Sequence, residues 1–392
     1  MIGCVVHENH DFVIIDITGM SMTGEHVFVG FGFGPIQSGL FVAEAFKSGC
    51  FKRIVVAEIN GELVEAIRAN QGAYAVNVAS SQGIDVQSIQ GIEVLNPLVD
   101  RDRALLVEAL AQATEIVTSL PAVDFYEAGK HPVASLIRSG LEASRASGTL
   151  IYTAENNNHA AEILEKAVHA DASHPVQYLN TVVGKMSQVL TDPQLIQEKD
   201  LAPITPNTHR AFLVEAFNHI LVSECQIPGF VPGISVFSEK PDLLPFEEAK
   251  LYGHNAIHFL LAMLGVQKGH TRMKSLRADR DIMAVASNAF IQECGAALIK
   301  KHGHLGDTLF TEDGFLAYAQ DLLDRMTNPF LDDPIERIAR DPERKLGCHD
   351  RIFGTMKLAL DYGITPVNMT LGAAAGIQFL QNQVPTKPVS QG

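Results

Sequence analysis

Cysteines and uninterrupted apolar runs are both sparse in this 392-residue chain. Five cysteines stand singly at positions 4, 50, 225, 294 and 348, without a CxxC pair. An odd number of isolated cysteines is typical of a reducing compartment. No apolar run reaches the ~18 residues that a membrane-spanning helix needs. The N-terminus also lacks a basic segment followed by an apolar one. These absences favour a cytoplasmic protein outside the membrane.

Basic residues are outnumbered, by 45 acidic to 30, which gives a formal net charge of -15. Such a charge repels phosphate backbones and anionic lipid surfaces, so neither nucleic acid nor a membrane is an expected partner. Charged residues make up only 19% of the chain and apolar residues 46%. This composition excludes a disordered chain and suffices for two domains with ordinary cores.

Short β-type runs alternate with helical stretches from residue 26 to about 186. Strands are predicted at 27–29, 53–58, 74–78, 115–119, 149–153 and 178–183, and helices at 38–47, 62–70 and 131–147. A strand, helix, strand alternation at this spacing predicts a parallel sheet covered on both faces. The fold class expected for this part is α/β, of the Rossmann type.

A polar stretch at 191–207 divides the chain. We predict a dinucleotide-binding domain over 26–205 and a mainly helical catalytic domain over 206–384. The second domain has one more β-type run at 212–215 and helical periodicity at 246–264, 281–302, 313–326 and 351–363. Residues 1–25 form an extension of unassigned role with a β-type run at 12–17, and residues 385–392 are expected to be frayed. No pattern indicates an oligomeric state.

A glycine-rich turn directly follows the first strand of the predicted dinucleotide-binding domain. Gly32 and Gly34 match the first two glycines of GxGxxG; Gln37 stands at the third, and Gly39 lies two residues on. Such a turn lets backbone approach a pyrophosphate and aims helix N–H groups at it, although similar turns also occur for structural reasons alone. Glu58 closes the next strand, where a carboxylate binds the adenosine ribose and repels a 2′-phosphate; otherwise it is a solvated acid. We therefore expect NAD, with this candidate set: Gly32, Gly34, Pro35, Ile36, Gln37 and Glu58.

Three polar residues open an otherwise apolar helix in the second domain. Lys250, Asn255 and His258 project within an arc of about 140° at 100° per residue, so all three can face one cleft. Desolvation lowers the pKa of a lysine toward that of a general base. An amide such as that of Asn255 can donate hydrogen bonds to an oxyanion. The pattern indicates proton-transfer chemistry, although Lys250 on its own would be an ordinary helix-start lysine.

The same segment has a metal-binding alternative. His254 and His258 are four residues apart, a spacing that can hold zinc. Asn255, however, stands where an HExxH motif has its glutamate, and no third ligand is evident. We expect no metal. Glu247, three residues before Lys250, either tunes the lysine or merely favours the helix N-terminus.

The spacing of Lys250, Asn255 and His258 resembles the signature of the polyol-specific long-chain dehydrogenases and reductases, the mannitol dehydrogenase family. The similarity extends from about residue 27 to 379. Within that family it is greatest to the mannitol-1-phosphate 5-dehydrogenases, because residues 325–351 resemble the branch that acts on sugar phosphates. The resemblance implies metal-independent hydride transfer with NAD(H). It implies that Lys250 takes the alcohol proton, Asn156 and Asn255 stabilise the alkoxide, and His258 orients the substrate.

A basic cluster in the last region would suit a substrate phosphate. The same charges also suit a solvated face or ion pairs with neighbouring acids. The cluster consists of Arg340, Arg344, Lys345 and Arg351.

Two places depart from the family pattern. Gln37 and Ser38 stand where the family turn has Gly and Arg, and Gly184 and Lys185 follow a strand where the family has Asp and Arg. The expected substrate is a sugar alcohol phosphate or ketose phosphate, with mannitol 1-phosphate and fructose 6-phosphate as the first pair. The alternatives are an unphosphorylated polyol or hexuronate, or a catalytically silent NAD-binding regulator.

Overall fold

The computed structural model describes residues 2–6, 12–16 and 26–383. Two β-sheets with flanking helices occupy residues 26–240, and helices dominate from Leu244 onward. The predicted fold class, a Rossmann-type α/β part followed by a mainly helical part, is confirmed. Within the N-terminal extension, β1 (Ile2–Val6) pairs antiparallel with β2 (Phe12–Asp16). The tail predicted to be frayed lies outside the described residues.

Strands from residue 26 onward build the two sheets. In chain order they are β3 (His26–Phe31), β4 (Phe51–Ala57), β5 (Tyr74–Ala79), β6 (Ile84–Ile89), β7 (Glu93–Leu95), β8 (Glu115–Thr118), β9 (Thr149–Thr153), β10 (Val176–Val183), β11 (Ser187–Leu190), β12 (Ala211–Glu215), β13 (Ile220–Ser223) and β14 (Phe237–Lys240). Each strand predicted from the sequence lies within one residue of an observed strand, or inside it.

Helices cover the sheets and form most of the C-terminal part. They are α1 (Val42–Ser48), α2 (Gly61–Ala69), α3 (Asp100–Gln112), α4 (Val133–Glu142), α5 (Ala160–Val168), α6 (Pro193–Glu198), α7 (Leu244–Glu248), α8 (Ala256–Gln267), α9 (Met273–Leu276), α10 (Arg280–Asn288), α11 (Ala296–His302), α12 (Glu312–Met326), α13 (Ile335–Ala339), α14 (Pro342–Lys345), α15 (Phe353–Asp361) and α16 (Val367–Gln383). Wider π-helical turns precede α1, α8 and α11, at Gln37–Phe41, Ala249–Asn255 and Ala289–Gly295.

The larger sheet sets up the functional edge of the molecule. Its order is β14-β13-β10-β9-β8-β3-β4-β7, and the strands from β10 to β7 run parallel. Carboxyl ends of parallel strands meet at one edge, which is where α/β proteins bind their ligands. The loops after β3, β4, β8 and β9 therefore lie side by side.

The smaller sheet has the order β11-β12-β5-β6. The helix that follows β3 packs between this sheet and the larger one. Its strand β12 pairs with β5, and β13 pairs with β10 of the larger sheet. The boundary predicted at 205/206 thus precedes strands that complete both sheets. We propose that the domain boundary falls after β14, near residue 241, because hydrogen bonding ties residues 211–240 to the first domain.

The C-terminal part packs around α8, eight of whose twelve residues are buried. Helix α16 packs along α8, and its N-terminus is held by the buried carboxylate of Glu293, which accepts hydrogen bonds from the backbone N–H groups of Asn368 (2.7 Å) and Met369 (2.9 Å). A carboxylate at a helix N-terminus satisfies otherwise unpaired donors. The N-terminus of α16 is therefore anchored in the core beside α8.

One helical stretch, Arg280–Leu305, is long and apolar enough by length and composition alone to cross a membrane. The apolar runs of the sequence predict no membrane-spanning segment. Half of its most apolar window is buried inside the fold. The interior helices of a globular protein pass the same test, so this stretch is explained by packing against its neighbours.

Candidate functional site

The glycine turn after β3 leaves its outer surface open. Gly32 has a φ of +84°, and a Cβ there would lie 2.8 Å from the carbonyl oxygen of Ser119. A Cβ on Gly34 would meet no atom within 4 Å. The first glycine is thus required by backbone conformation and close approach, while the second keeps free the space in which a ligand would lie. The residues present therefore fit a dinucleotide at this turn.

The sequence assigns Pro35, Ile36 and Gln37 to the cofactor, and the structure gives each of them other neighbours. The Gln37 side chain is completely buried beneath the turn, and neither amide atom has a hydrogen-bond partner among the described residues. Ile36 packs against the core between the sheets, and Pro35 lines a cleft toward the C-terminal helices. A Cβ on Gly39 would lie 2.8 Å from Val214. Gly39, two residues late, therefore fills the role of the third glycine, which is close helix-to-strand packing.

Glu58 ties the turn to the end of β4. Its Oε2 accepts a hydrogen bond from the Phe33 N–H (2.8 Å), and its Oε1 accepts one from the Asn60 N–H (2.7 Å). The carboxylate is held beside the glycine turn, as the sequence predicts. Sequence reasoning missed the apolar residues around it. Ile59 is 66% exposed, and Leu98 follows the neighbouring strand β7 at 49%.

Lys250 and Asn156 meet across a cleft between the two parts of the chain. The Lys250 Nζ donates a hydrogen bond to the Asn156 Oδ1 at 3.3 Å. Asn156 follows β9, whereas Lys250 lies in the π-helical turn before α8. The cleft is also lined by Thr181, Glu247, Asn255, Arg344, Asp350 and Arg351. Residues that are distant in sequence thus form one polar site.

The π-helical turn Ala249–Asn255 explains the spacing of the lysine and the helix asparagine. In a π-helix the N–H of residue i+5 bonds to the carbonyl of residue i, so residues five apart lie about one turn apart. Lys250 and Asn255 are therefore closer to one face than an α-helix would place them. The sequence carries no signal of this wider turn, which is a common feature of functional sites.

Burial shapes the proton affinity of the cleft. It lowers the pKa of Lys250 to about 8; the nearby Arg351 charge acts in the same direction, and Glu247 opposes it. Burial also raises the pKa of Glu247 to about 7, helped by Glu162 and opposed by Lys250. Both groups therefore exchange protons in the range in which a general base must work.

His258 lies one turn further along the helix. Burial lowers its pKa to about 3, with contributions from the positive charges of Arg337, Arg351 and Lys345. Its Nε2 is buried and has no hydrogen-bond partner among the described residues. The imidazole is thus neutral and has an unused hydrogen-bonding atom. Burial also lowers the pKa of His254, and its ring centroid lies 6.1 Å from that of His258.

The structure distributes the basic cluster over three environments. Arg344 and Arg351 line the Lys250 cleft, and both pair with Asp350, at 3.0 Å and 2.9 Å. The Lys345 ammonium is buried and donates to the Ile338 carbonyl at 2.8 Å. Arg340 lies in the separate cleft that contains Pro35. Only the first two are therefore positioned to contact a substrate beside Lys250.

Glu155 fixes the loop that carries Asn156. Its carboxylate accepts hydrogen bonds from the Leu120 N–H (2.8 Å), the Thr118 hydroxyl (2.9 Å) and the Tyr126 hydroxyl. Burial raises the pKa of Glu155. Because these partners belong to the end of β8 and to the segment after it, the carboxylate joins the loops after β8 and β9. The acid that precedes Asn156 therefore orients the amide.

The departures from the family pattern lie outside the lining of the Lys250 cleft. The Ser38 hydroxyl donates to the Gly34 carbonyl at 2.6 Å within the turn. The buried Lys185 ammonium donates to the Phe217 carbonyl at 2.6 Å, and the Gly184 carbonyl accepts from Arg325 at 2.7 Å. Gly184 thus ties the end of β10 to helix α12, and Lys185 ties it to the segment after β12.

No group of three or more His, Cys, Asp or Glu side chains in the described part of the chain is arranged to hold a metal ion. The polar groups gathered in the cleft are instead a lysine, four asparagine amides, two arginines, a threonine hydroxyl and carboxylates. Such a set supplies a proton acceptor, oxyanion donors and an anion-binding edge.

Comparison with known proteins agrees with this architecture. Residues 242–387 match the mannitol dehydrogenase C-terminal domain. A D-sorbitol dehydrogenase in substrate-free form is similar in structure at 15% identity, with a TM-score of 0.73, over 92% of this chain and 81% of that chain. The Pseudomonas fluorescens mannitol 2-dehydrogenase, in a ternary complex with NAD and D-mannitol, is similar at 17% identity, with a TM-score of 0.68, over 92% and 80%. The C-terminal part of the chain therefore resembles the mannitol dehydrogenase C-terminal domain, and the chain shares the fold of these two dehydrogenases.

Proposed function

We propose that this protein is an NAD(H)-dependent oxidoreductase that interconverts a sugar alcohol phosphate and a ketose phosphate. The observation that carries the proposal is the contact of the Lys250 Nζ with Asn156 in a cleft that also holds Asn255 and two arginines. This cleft adjoins the edge of the sheet where the glycine turn lies. The proposed reaction therefore takes place between the two domains.

NAD is the cofactor that best fits the sheet edge. The open space at Gly34 suits a diphosphate, and the carboxylate of Glu58 suits unmodified ribose hydroxyls and repels a 2′-phosphate. The exposed side chains of Ile59 and Leu98 offer an apolar surface to an adenine ring. The similar mannitol 2-dehydrogenase was solved with NAD, which supports the same choice.

The cleft residues divide the proton chemistry among them. Neutral Lys250 accepts the proton of the substrate hydroxyl, and because it already bonds the Oδ1 of Asn156, the Nδ2 of that amide is left to donate to the developing alkoxide. Asn255 supplies a second amide donor. His258 is buried behind the residues that line the cleft, and its unpartnered Nε2 is the atom that we assign to orienting a substrate hydroxyl. The nicotinamide, when bound, supplies the hydride acceptor or donor. We propose that no metal takes part.

Arg344 and Arg351 support an anionic substrate. Guanidinium groups bind phosphate or carboxylate oxygens through paired hydrogen bonds. Arg351 pairs with Asp350 through its Nε, and Arg344 pairs with both Asp341 and Asp350. The remaining Nη groups of the two guanidiniums are available to donate to an anion. A hexuronate carboxylate would satisfy the same pair, which makes hexuronate reduction the second candidate. The two similar dehydrogenases are named for unphosphorylated polyols.

A panel assay tests this proposal. NADH oxidation is followed by absorbance with fructose 6-phosphate, fructose and hexuronates, with and without a chelator. Chelator-resistant turnover that favours fructose 6-phosphate is expected. Turnover on hexuronates alone would select the second candidate. NADH binding without turnover on any compound would contradict the proposed activity and favour a regulatory role.

A further inference from the structure

A second cleft lies on the cofactor side of the domain boundary, apart from the one that holds Lys250. It measures about 560 Å³, and its walls come from the glycine turn at Pro35, from strand β11 with the segment after it, and from the C-terminal helices. Three arginines face it: Arg272, Arg337 and Arg340. In a chain with a net charge of -15 such a grouping is unusual enough to need an explanation.

Arg340 is the arginine of this cleft whose charge is not paired with a described acidic residue. It is exposed, it follows directly after helix α13, and it forms no ion pair with any residue that the structure describes. Arg337 by contrast is bonded to the buried Asp333, at 2.6 and 3.0 Å. The cleft contributes two acids, Asp192 and Glu336. Asp192 already accepts from the Gln194 N–H and caps helix α6.

Arg272 adds to the positive charge at the same end of the cleft. It lies 4.0 Å from the buried carboxylate of Asp332. That carboxylate is also paired with Lys199 at 2.9 Å and Lys274 at 3.2 Å. One carboxylate thus balances three cations, so the charge of Arg272, the one of the three that lines the cleft, is only partly compensated. Opposite these cations lies the start of the helix that follows the glycine turn, where backbone N–H groups also favour an anion.

We propose that Arg340, with support from Arg272, forms the C-terminal half of a diphosphate site whose other half is the glycine turn. This inference rests on the proposed NAD(H)-dependent function and assigns Arg340 to the cofactor rather than to a substrate phosphate. The two domains then hold a dinucleotide from opposite sides. Loss of the Arg340 side chain therefore weakens the binding of the cofactor. It leaves the Lys250 cleft unaltered, because Arg344 and Arg351 are the members of the basic cluster that line that cleft.

Ligand binding to the Arg340→Ala variant tests the inference without relying on turnover. NADH affinity is measured from the emission of the bound dinucleotide, and ADP and adenosine affinities by calorimetry. Loss of one charge-assisted contact predicts about tenfold weaker binding of NADH and ADP, with adenosine unchanged. Arg340→Lys, which keeps the charge, is expected to lose less. Arg277→Ala is the matched control, since Arg277 is an exposed arginine of the same domain that pairs with Asp324 away from both clefts.

Several results would overturn the inference. ADP affinity in Arg340→Ala equal to that of the wild type would remove Arg340 from the diphosphate site. A raised KM for fructose 6-phosphate with NADH affinity unchanged would return Arg340 to the substrate. Wild-type protein that binds neither NADH nor ADP would overturn the proposed function and this inference together. Wild-type NADH binding with an unaffected variant would overturn this inference alone.

Discussion

The rate of polyol oxidation is expected to rise about tenfold between pH 7 and pH 9, because Lys250 must be neutral to accept the hydroxyl proton. Burial and the charge of Arg351 lower the pKa of this lysine to about 8. Its neutral fraction is then about 9% at pH 7 and about 91% at pH 9. An unperturbed lysine, with a pKa of about 10.4, would give an increase of about a hundredfold over the same range. The slope therefore reports the environment of the lysine.

The reverse reaction has the opposite sign. Ketose reduction needs protonated Lys250 as the donor, so kcat/KM for reduction should fall as the pH rises through about 8. The Glu247 carboxylate opposes the lowering of the Lys250 pKa, so Glu247→Gln should move the midpoint of both profiles to lower pH. Both profiles are measured by NADH absorbance under kcat/KM conditions.

Removing the amine gives the magnitude of its contribution. Lys250→Ala should lose about 10²- to 10⁴-fold in kcat, the usual range for a positioned general base. Lys357→Ala is the matched control, since Lys357 is an exposed lysine of the same domain that pairs with Asp361. A Lys250→Ala variant with wild-type turnover, or a hundredfold rise of the wild-type rate between pH 7 and pH 9, would refute this role.

Three further predictions concern the ligand contacts. Gly32→Ala should lower the free energy of unfolding by about 1–3 kcal/mol, measured by thermal unfolding, because it forces an alanine to a φ of +84° against the Ser119 carbonyl. Gly34→Ala should unfold like the wild type but bind NADH more weakly. Equal losses of stability in the two variants would contradict this difference. Glu58→Ala should raise the Kd for NADH about tenfold and reduce the preference of the protein for NADH over NADPH, as measured by fluorescence titration. An unchanged preference would count against the contact of Glu58 with the ribose. Arg351→Ala should raise the KM for fructose 6-phosphate about tenfold or more and that for fructose much less, and equal effects on both would argue against phosphate binding.

The sequence predicts the central strands well because burial leaves a strong signal. Strands β3, β8 and β9 are almost completely buried and appear as continuous apolar runs. The edge strand β6 (Ile84–Ile89) was missed, since three of its six residues are exposed and three are polar. Helix α16 was missed as well, because its small residues fit tightly against α8 instead of forming a clear apolar stripe. Tertiary packing, which decides both elements, is absent from local patterns.

The candidate site shows the same limit. Lys250 and Asn255 belong to one helical segment, so their spacing predicts a shared face. Arg340 and Arg344 are equivalent in the sequence, yet the chain turns sharply between them at Asp341, whose φ is +56°. The short helix α14 then directs Arg344 to the Lys250 cleft, while Arg340 remains with the glycine turn. Only the folded backbone separates these two arginines.

The central claim is hydride transfer from NADH to a ketose phosphate at the Lys250 cleft. Its most direct test is to incubate the wild-type protein with fructose 6-phosphate and NADH carrying deuterium at the transferable C4 position, in the presence of a chelator, and to analyse the product by mass spectrometry. The expected product is a sugar alcohol phosphate that carries one deuterium. NADH binding with no deuterium in any product, for ketose phosphates, free ketoses and hexuronates alike, would refute hydride transfer at this cleft.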